Sequence, residues 1–404
     1  MTDAWIVGTG ITSFGRDTPP LVQLVQEATS LAVRDAAIQP GDVQRVFVGN
    51  AAAGLLQGQE MIRGQVLLHD TGLLGSAIIN VENACASSST ALHLAVAAVR
   101  GGACDVAMAV GAEQLAVEPR ARIFATLASA TDTIRRPAMR QLVQTHALGL
   151  LPDGHTGPEA SPFMAHYAAK GAAYLQRWGG DPTDLARVVV RSRASGALNP
   201  KAQFRQPTTV EEVMAGRLVA PPLRLAMCSP VGNGAAALVV MSDRAAQRVG
   251  GQQVSVRATV LVSHDPQAAA NTTEVAARRA FEDAAVAPQD IGVAEVHDAA
   301  ASALLVAVED LGLVAPGEAL RLIRENQTGP DGRLPVNTGG GLLSRGHPIG
   351  ATGCAQIVEL VDQLRNRCGE RQVPDARFAL AHNAGGVLDE QEAVVALTVL
   401  ERRR

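Results

Sequence analysis

The stretch DAAIQPGDV at residues 35–43 returns as DAAVAPQDI at residues 283–291, which is 248 positions further along the chain (283 minus 35). In each copy a helical pattern ends near a proline, a short turn follows, and an apolar run typical of a β-strand begins, at residues 46–50 and 294–298. Self-similarity at a fixed spacing is the signature of an internal repeat. The chain is therefore predicted to contain two halves of one α/β design, joined head to tail.

A second pair of segments repeats with a slightly longer spacing. Residues 90–100 and 353–365 share a helical spacing of apolar residues, a final arginine and a preceding turn of small residues. Each is followed by a run typical of a strand, at residues 105–111 and 377–383. Because both helices are poor in charge, we expect them to be buried between two sheets.

The remaining patterns suggest how the chain is divided. Continuous apolar runs at 235–241 and 394–400 favour strands that are covered on both faces. One long region between the repeated segments has no counterpart in the second half, and such an insertion usually forms a lid, a substrate tunnel or an oligomer contact. The predicted units are an N-terminal half (residues 1–117 plus 223–247), an inserted loop domain (118–222) and a C-terminal half (248–404).

Composition excludes several classes of protein. Of 404 residues, 47% are hydrophobic and 18% charged, which argues against a disordered chain, and a net charge of −4 with 3% aromatic residues argues against a nucleic-acid partner. The five cysteines are an odd number without metal-binding spacing, which favours free thiols in a reducing compartment. We find no secretory signal and no uninterrupted bilayer span. The expectation is a cytoplasmic protein that does not bind membranes.

Cys85 is the first candidate for chemistry. It lies in NACASSST (residues 83–90), where a turn of small residues leads into a helix. A thiol at a helix N-terminus experiences the positive end of the helix dipole, which favours the thiolate, and nearby N–H groups can hold an oxyanion. The alternative interpretation is a small buried side chain at a tight packing point.

The repeat predicts a partner for this thiol. His347 lies in GHPIGATG (residues 346–353), which opens the equivalent helix of the second half. If a pseudo-twofold axis relates the halves, the starts of the two helices meet, and the His347 imidazole can accept the Cys85 proton. The alternative is a histidine that caps a turn. The pair His297-Asp298 and the run HNAGG at residues 382–386 are each predicted to end a strand at the same crevice.

Together these motifs resemble those of the thiolase superfamily, and most closely the sterol-carrier-protein type of thiolase and its bacterial thiolase-like relatives. The matching segments are NACAS at 83–87, CSPVGNGAAA at 228–237, HD at 297–298, GHPIGATG at 346–353 and HNAGG at 382–386. The resemblance covers nearly the whole chain. It implies a duplicated thiolase fold with five layers, αβαβα, and an inserted loop domain. It also implies a homodimer, a coenzyme A thioester (acyl-CoA) as substrate, and no bound cofactor or metal.

The resemblance also implies roles for individual residues. Cys85 would attack an acyl thioester to give an acyl-enzyme, with His347 as its activating base. The backbone N–H groups of Cys85 and Gly385 would form one oxyanion hole, and His297 and His347 would form the other. Asp298 and Asn383 would support these groups from behind.

One departure from the family pattern bears on the reaction. Thiolases of these types carry a second cysteine as acid and base, at the position of Ala299 or of Asn383, and this chain has neither. Either His297 takes over that role, or the chemistry after acylation differs. Decarboxylative condensation, or acyl transfer to an activated carbon, oxygen or nitrogen, needs no such base. Cys354 is a conceivable substitute, although its place in a buried helix favours a core residue.

These considerations lead to a first hypothesis and its rivals. The first is a thiolase-like acyltransferase that uses an acyl-Cys85 intermediate for carbon–carbon bond formation or acyl transfer. One rival is a 3-ketoacyl-CoA thiolase with His297 in place of the second cysteine. Another is a retro-aldol acyl-CoA lyase that works with a small acyl-CoA-binding protein of zinc-ribbon and OB-fold type. A non-enzymatic scaffold for such a partner is the fourth possibility.

Other polar residues are weaker candidates. His93 falls on the buried helix and is interpreted as a core residue. Three more histidines (His146, His155 and His166) lie in the insertion at spacings that do not support a metal site. The basic residues Arg135, Arg136, Lys201 and Arg205 are conceivable contacts for a coenzyme A phosphate, although a solvated loop surface is the simpler interpretation.

Overall fold

The computed structural model describes residues 3–136 and 162–403. Its strands are β1 (Ala4–Ile11), β2 (Arg45–Gly49), β3 (Ala77–Val81), β4 (Val106–Gln114), β5 (Leu218–Ala220), β6 (Leu223–Arg224), β7 (Asn233–Ser242), β8 (Val254–Ser263), β9 (Ile291–Glu295), β10 (Phe378–Leu388) and β11 (Gln391–Arg402). Its helices are α1 (Leu21–Asp35), α2 (Ala53–Gln57), α3 (Arg63–Leu67), α4 (Ser87–Arg100), α5 (Ala121–Ala128), α6 (Pro162–Trp178), α7 (Pro182–Ala197), α8 (Val210–Ala215), α9 (Asp243–Val249), α10 (Thr272–Ala284), α11 (Ala301–Asp310), α12 (Glu318–Arg324), α13 (Gly341–Ser344) and α14 (Thr352–Leu364).

The repeated stretch folds the same way in both halves. In each, a helix (α1 or α10) ends within the repeat, a short 3-10 turn follows (Pro40–Asp42 or Pro288–Asp290), and a strand begins (β2 or β9). Ala37 and its counterpart Ala285 both adopt left-handed backbone angles, with φ of 53° and 52°. An alanine at positive φ is uncommon, so its recurrence at the same place in both copies confirms the duplication.

Nine strands form one mixed sheet in the order β3-β2-β4-β7-β1-β8-β11-β10-β9. From the centre outward, β1, β7, β4 and β2 of the first half match β8, β11, β10 and β9 of the second. In the second half, a single parallel β-bridge between Ala294 of β9 and Val336 occupies the position that β3 has in the first half. The sequence predicts two separate sheets, whereas the structure joins them into one. They are joined because β1 and β8 pair at Trp5–Ser255 and Ile6–Val254, which occupies hydrogen-bonding groups that two free edges would leave open.

The two central helices lie between the halves, as predicted. Helix α4 packs against β4 and β2 of its own half and β8 of the other, whereas α14 packs against β10 and β9 and against β7 and β1. Helices α1 and α10 cover the outer faces. The result is the five-layer arrangement expected for a thiolase fold.

Two arginines exchange contacts across the pseudo-twofold axis. Arg100 at the end of α4 donates to the carbonyl oxygens of Val256 and Arg257 in β8. Arg365, just after α14, donates to Val7 O at 2.9 Å in β1. Each central helix is thus fixed at its C-terminal end to the first strand of the opposite half, which sets where the two helix N-termini meet.

The described part of the predicted insertion packs on the second half of the chain. Helix α6 contacts α11, and α7 contacts α11, α12 and α13. Tyr174 and Leu185 share one hydrophobic core with Leu305 and Leu320. The boundaries of the predicted units stay a prediction. Within residues 3–136 and 162–403, no helix is both long and apolar enough to cross a membrane.

Candidate active site

Cys85 lies in a 3-10 turn, Ala84–Ala86, that leads directly into α4. The turn is fixed by its own hydrogen bonds. The hydroxyl of Ser87 donates to Ala84 O at 2.7 Å and accepts from the Asn83 N–H at 3.0 Å. The Ala86 N–H donates to Asn83 O at 2.9 Å. The small residues of the sequence therefore form the tight turn that aims the thiol into the crevice.

The protonation state of this thiol differs from the expectation. Burial, with a smaller contribution from the nearby Glu113 carboxylate, raises the pKa of Cys85 to about 12, although part of the residue remains accessible. Backbone groups of Cys85 and Gly386 act in the opposite direction without compensating. The backbone groups around Cys85 favour the thiolate, in the predicted direction, but burial outweighs them and the thiol is neutral in the resting protein. The free-energy cost of removing a thiolate from water exceeds the stabilisation that the helix N-terminus provides.

His347 has one nitrogen fixed and one free. Its Nδ1 lies 2.8 Å from the Thr352 hydroxyl oxygen, and that hydroxyl donates its only proton to Pro348 O at 3.1 Å. The Nδ1 must therefore carry a proton and donate it, which leaves Nε2 unprotonated and able to act as a base. Burial, followed by the Arg345 charge, lowers the pKa of His347 to about 3, so the ring is neutral at pH 7.

His297 completes the group. It follows β9 by two residues, and its ring meets that of His347 edge-on, with centroids 5.1 Å apart. One ligand atom from each of Cys85, His297 and His347 lies within 4.8 Å of the others. Burial, then His347 and His382, lowers the pKa of His297 well below its ordinary value. The structure thus brings together the three residues that the sequence proposed for catalysis.

The same three side chains offer one sulfur and two nitrogen ligands, the donor set that Zn²⁺ prefers. If a metal ion binds among the described residues, this is where it can. Nothing in the resemblance implies one, and the proposals below use none.

Gly385 lies where a side chain has no room. A Cβ there would stand 2.2 Å from Asn83 O and 3.0 Å from Ala86 N, so β10 passes directly against the turn that holds Cys85. The backbone group that reaches the Cys85 thiol belongs to the next residue, Gly386, which the sequence had not singled out. The strand also continues to Leu388, because it pairs with β11 beyond the HNAGG run instead of ending there.

Comparison with known proteins identifies the family. The thiolase N-terminal domain matches residues 4–244, and a thiolase C-terminal domain-like family matches residues 252–398. The chain belongs to the thiolase family.

Named relatives support the same family. The chain is 36% identical to the acetyl-CoA acetyltransferase of Methanothermobacter thermautotrophicus, over 96% of this chain and 97% of the relative. It is 34% identical to the benzoylsuccinyl-CoA thiolase subunit BbsB of Thauera aromatica (95% and 94%), and 32% identical to sterol carrier protein 2 of Gallus gallus (94% and 69%). The predictions of the family and of a thiolase-like acyltransferase are confirmed.

A solved structure confirms the fold. The Ltp2-ChsH2(DUF35) aldolase superposes with a TM-score of 0.79 and covers 100% of this chain and 98% of its own. Its sequence identity is 24%, so the likeness concerns the fold alone.

The two predicted supporting residues of this thiolase-family protein lie behind the histidines. Asp298 Oδ1 accepts from the Leu342 N–H at 2.7 Å, and burial raises the pKa of this carboxyl to about 8. Asn383 Nδ2 donates to Gln356 Oε1 at 2.9 Å, and Gln356 in turn donates to His382 O at 3.0 Å. Both residues hold backbone around the site.

Neither position of the usual second cysteine carries a thiol. Ala299 is buried, and Asn383 is engaged as described. The conceivable substitute, Cys354, is fully buried in α14, where its Sγ contacts Ser88 O at 3.7 Å. Its interpretation as a core residue is confirmed. The site therefore has one thiol, Cys85, beside two histidines, His297 and His347.

Sequence reasoning missed a buried carboxylate beside the site. Glu113, near the end of β4, accepts from the backbone N–H groups of Ala51 (3.0 Å), Ala52 (3.2 Å) and Gly350 (3.2 Å) and from Asn50 Nδ2 (2.8 Å). Burial raises its pKa to about 7 despite these donors. A single charged residue near the end of an otherwise apolar strand was the available signal.

The weaker candidates lie elsewhere. His93 contacts the Thr259 hydroxyl at 3.3 Å, and the exposed Arg135 pairs with Asp132 at 3.6 Å. His146 and His155 lie outside the described residues. His166 stacks edge-on with Tyr167, on the helix that borders the site.

Proposed function

We propose that this protein is an acyltransferase that takes an acyl group from an acyl-CoA onto Cys85 and passes it to a second substrate. The observation that carries the proposal is the approach of Cys85, His297 and His347, with one atom of each within 4.8 Å of the others, at the start of a central helix. A nucleophile beside a correctly oriented base is the arrangement that covalent acyl transfer requires.

The first step follows from the two neutral side chains. His347 Nε2 accepts the proton of the Cys85 thiol as the sulfur attacks the thioester carbonyl. The carbon–sulfur bond to coenzyme A then breaks, and the proton returns from His347 to the departing thiolate. The products are acyl-Cys85 and free coenzyme A, so the step balances without a cofactor. A high thiol pKa and a low imidazole pKa mean that the pair is not ionised before substrate arrives.

Oxyanion stabilisation comes from two sides. The close approach of Gly385 to the Cys85 turn supports a hole formed by the backbone N–H groups of Cys85 and Gly385. His297 and His347, whose rings meet edge-on, are proposed to form a second hole for the enolate or other acceptor, to which His347 Nε2 donates only while it holds a proton taken from a substrate or from Cys85. Asp298 and Asn383 keep the backbone of these elements in place.

The second step is proposed to be transfer to an activated nucleophile or a decarboxylative condensation. Such reactions need no second cysteine, and this chain has Ala299 and Asn383 at the two positions where one would stand. His297 is a conceivable replacement base for a reversible 3-ketoacyl-CoA thiolase. Burial lowers the pKa of His297 as it does that of His347, so the argument for the first proposal is the absence of a second thiol and not the basicity of His297.

Mass spectrometry of the intact protein tests the acyl-enzyme. After incubation with a set of acyl-CoA esters, we expect an adduct on the Cys85 peptide that hydroxylamine removes. Cys85→Ala abolishes it, whereas Cys104→Ala, a matched change at a buried thiol of the first half, leaves it intact. An adduct that persists in Cys85→Ala contradicts the proposal. Thiolysis of acetoacetyl-CoA that is lost in His297→Ala would favour the reversible thiolase instead.

Less evidence supports the alternative of a retro-aldol lyase that works with a small zinc-ribbon and OB-fold partner. The solved structure with the similar fold is described as an aldolase complex with ChsH2(DUF35), and at 24% identity this carries no chemistry to the present chain. Co-purification of such a partner from the native host, together with cleavage of a β-hydroxyacyl-CoA, would favour it over acyl transfer.

We further propose a homodimer that works in a reducing compartment such as the cytoplasm. Strand β3 is one of the two outer strands of the sheet, and Met61 and Ile62, which directly precede helix α3 beside it, are 78% and 61% exposed. A free edge beside exposed apolar surface is suited to pairing with a second copy. All five cysteines are free thiols. Light scattering after size-exclusion chromatography tests the dimer, and Met61→Glu should yield monomers.

A further inference from the structure

A small recess of about 20 Å³, with room for a group about the size of one water molecule, opens beside His297 between α6, α11 and the strands β10 and β11. Apart from alanines and one valine, its lining is polar. These polar residues are Tyr167, Lys170, Thr273, Asp310, His382 and Glu392, together with His297 itself. Apolar lining is the rule for pockets that hold alkyl groups, so this composition calls for a different occupant.

The recess lies directly beside the reacting centre. His297 belongs to both, and its Nδ1 is buried and has no hydrogen-bond partner among the described residues. The backbone N–H of His297 donates to His382 Nδ1 at 3.3 Å, so these two residues of the lining are held together. Burial, followed by the charges of Cys85 and Glu392, raises the pKa of Tyr167, so this phenol lies within electrostatic reach of both the thiol and the recess.

Charges inside the recess nearly cancel. Lys170 Nζ lies 2.7 Å from Glu392 Oε1, and the two side chains are 27% and 15% exposed. Burial, together with the neighbouring Glu274 and Glu392, raises the pKa of Asp310 to about 7, so this carboxyl is about half protonated at neutral pH. A substrate carboxylate in the recess would lie near two carboxyl groups, those of Asp310 and Glu392, and near only one ammonium group, that of Lys170. The recess therefore does not favour a substrate carboxylate.

An alkyl group is no better suited. Filling the recess with methylene groups would displace water from Lys170, Asp310 and Glu392 and return no hydrogen bonds, which costs free energy for each polar group left without a partner. An uncharged oxygen can accept from the ammonium, and a hydroxyl can also donate to the Asp310 carboxyl. Neither interaction disturbs the charge balance.

We propose that this recess receives the end of the acyl group and selects acyl-CoA esters that carry an uncharged hydroxyl or keto oxygen there over plain alkyl or carboxylate esters. The inference rests on the proposed acyl transfer to Cys85 and names the substrate class of that site.

Three six-carbon esters, identical except at the end of the chain, test it: hexanoyl-CoA, 6-hydroxyhexanoyl-CoA and adipoyl-CoA. The measurement is the second-order rate of Cys85 acylation, followed by mass spectrometry. We expect 6-hydroxyhexanoyl-CoA to react faster than hexanoyl-CoA by about fivefold, the value of one net hydrogen bond, and adipoyl-CoA to be the slowest. An equal or faster rate with hexanoyl-CoA or adipoyl-CoA in the wild-type protein overturns the assignment.

Variants locate the preference in the recess. Lys170→Met combined with Glu392→Gln removes the ion pair, and we expect it to reverse the ratio in favour of hexanoyl-CoA. Arg321→Met removes one member of an exposed pair (Arg321–Glu318, 3.0 Å) outside the recess and should leave the ratio unchanged. An unchanged ratio in a double variant with a wild-type circular dichroism spectrum contradicts the inference. If the double variant does not fold, the acylation rates of the three esters with the wild-type protein still test the inference.

The two proposals fail differently. If none of the three esters, nor any other acyl-CoA, labels Cys85, the acyl transfer itself is wrong. If Cys85 is labelled without preference for the hydroxylated chain, acyl transfer stands and the substrate class assigned to the recess is wrong.

Discussion

Arg345 and Glu295 form an ion pair inside the protein, with Nη2 2.9 Å from Oε2 and side chains that are 1% and 0% exposed. Each lies two residues before a histidine of the site, Glu295 before His297 and Arg345 before His347. The pair joins the end of β9 to the end of α13, and so it fixes the distance between the two imidazoles.

The first prediction concerns this pair. Glu295→Gln leaves the Arg345 charge buried without its counter-ion, so we expect the free energy of unfolding to fall by about 3 kcal/mol and Cys85 acylation to slow. Urea unfolding and acylation rates measure the two effects. Glu60→Gln, which removes the exposed partner (69% exposed) of Arg63, is the control and should change stability by about 1 kcal/mol or less.

A double variant separates charge from packing. Glu295→Leu with Arg345→Met removes both charges, and its stability should exceed that of Glu295→Gln, since no unpaired ion remains. A single variant as stable as the wild type would show that the pair does not hold the two elements together.

The second prediction concerns the resting thiol. Because the pKa of Cys85 is about 12, its alkylation by iodoacetamide in the absence of substrate should be slow at pH 7 and rise about tenfold per pH unit up to pH 9. Peptide mapping by mass spectrometry follows the rate for Cys85 alone. A rate that is already constant above pH 7 would mean that a thiolate exists before substrate binds, and the proposed order of proton transfer would be wrong.

Much of this molecule could be predicted from the duplicated stretches. The pairing of Cys85 with His347 followed from two equivalent helix starts and one symmetry axis, and the strand before His297 followed from its counterpart before Asn50. Such inferences succeed because a repeated pattern of apolar residues and turns dictates the same local structure twice. The resemblance to thiolases then assigned chemical roles to residues that the repeat had already predicted to lie close together.

Other features depend on burial, which a linear sequence does not display. The raised pKa of Cys85 comes from the density of surrounding atoms. The Glu295–Arg345 pair looks like two ordinary surface charges until both are enclosed. The recess at Tyr167 and Lys170 is built partly from the insertion, where no repeat guides the alignment of elements.

The third prediction concerns Glu113, which binds backbone N–H groups on both sides of the site. Glu113→Gln keeps the shape but turns an amide NH₂ toward donors that need an acceptor. We expect a loss of about 2 kcal/mol in unfolding free energy and a slower acylation step, since Gly350 lies in the turn after His347. Glu211→Gln, at an exposed position, should alter neither. Wild-type stability and rates in Glu113→Gln would mean that the carboxyl does not brace the site.

The last prediction gives Asp298 a pH signature. Burial raises its pKa from 3.8 to about 8, so the folded protein keeps a proton that the unfolded chain releases. The stability contributed by this group is complete below about pH 4 and is lost as the pH rises toward 8. Asp298→Asn removes the titration and nearly preserves the shape. Between pH 5 and 8, the unfolding free energy of the wild type should therefore fall relative to that of the variant.

Urea unfolding of both proteins at pH 5, 6.5 and 8 measures the difference. Using the difference cancels the other titrating groups of the site, including the histidines, whose lowered pKa values change stability in the opposite direction below pH 6.5. A difference that stays constant across this range would mean that Asp298 is ionised in the folded protein. Its carboxylate would then need a positive partner, and Arg345, whose charge already lowers the Asp298 pKa, is the candidate.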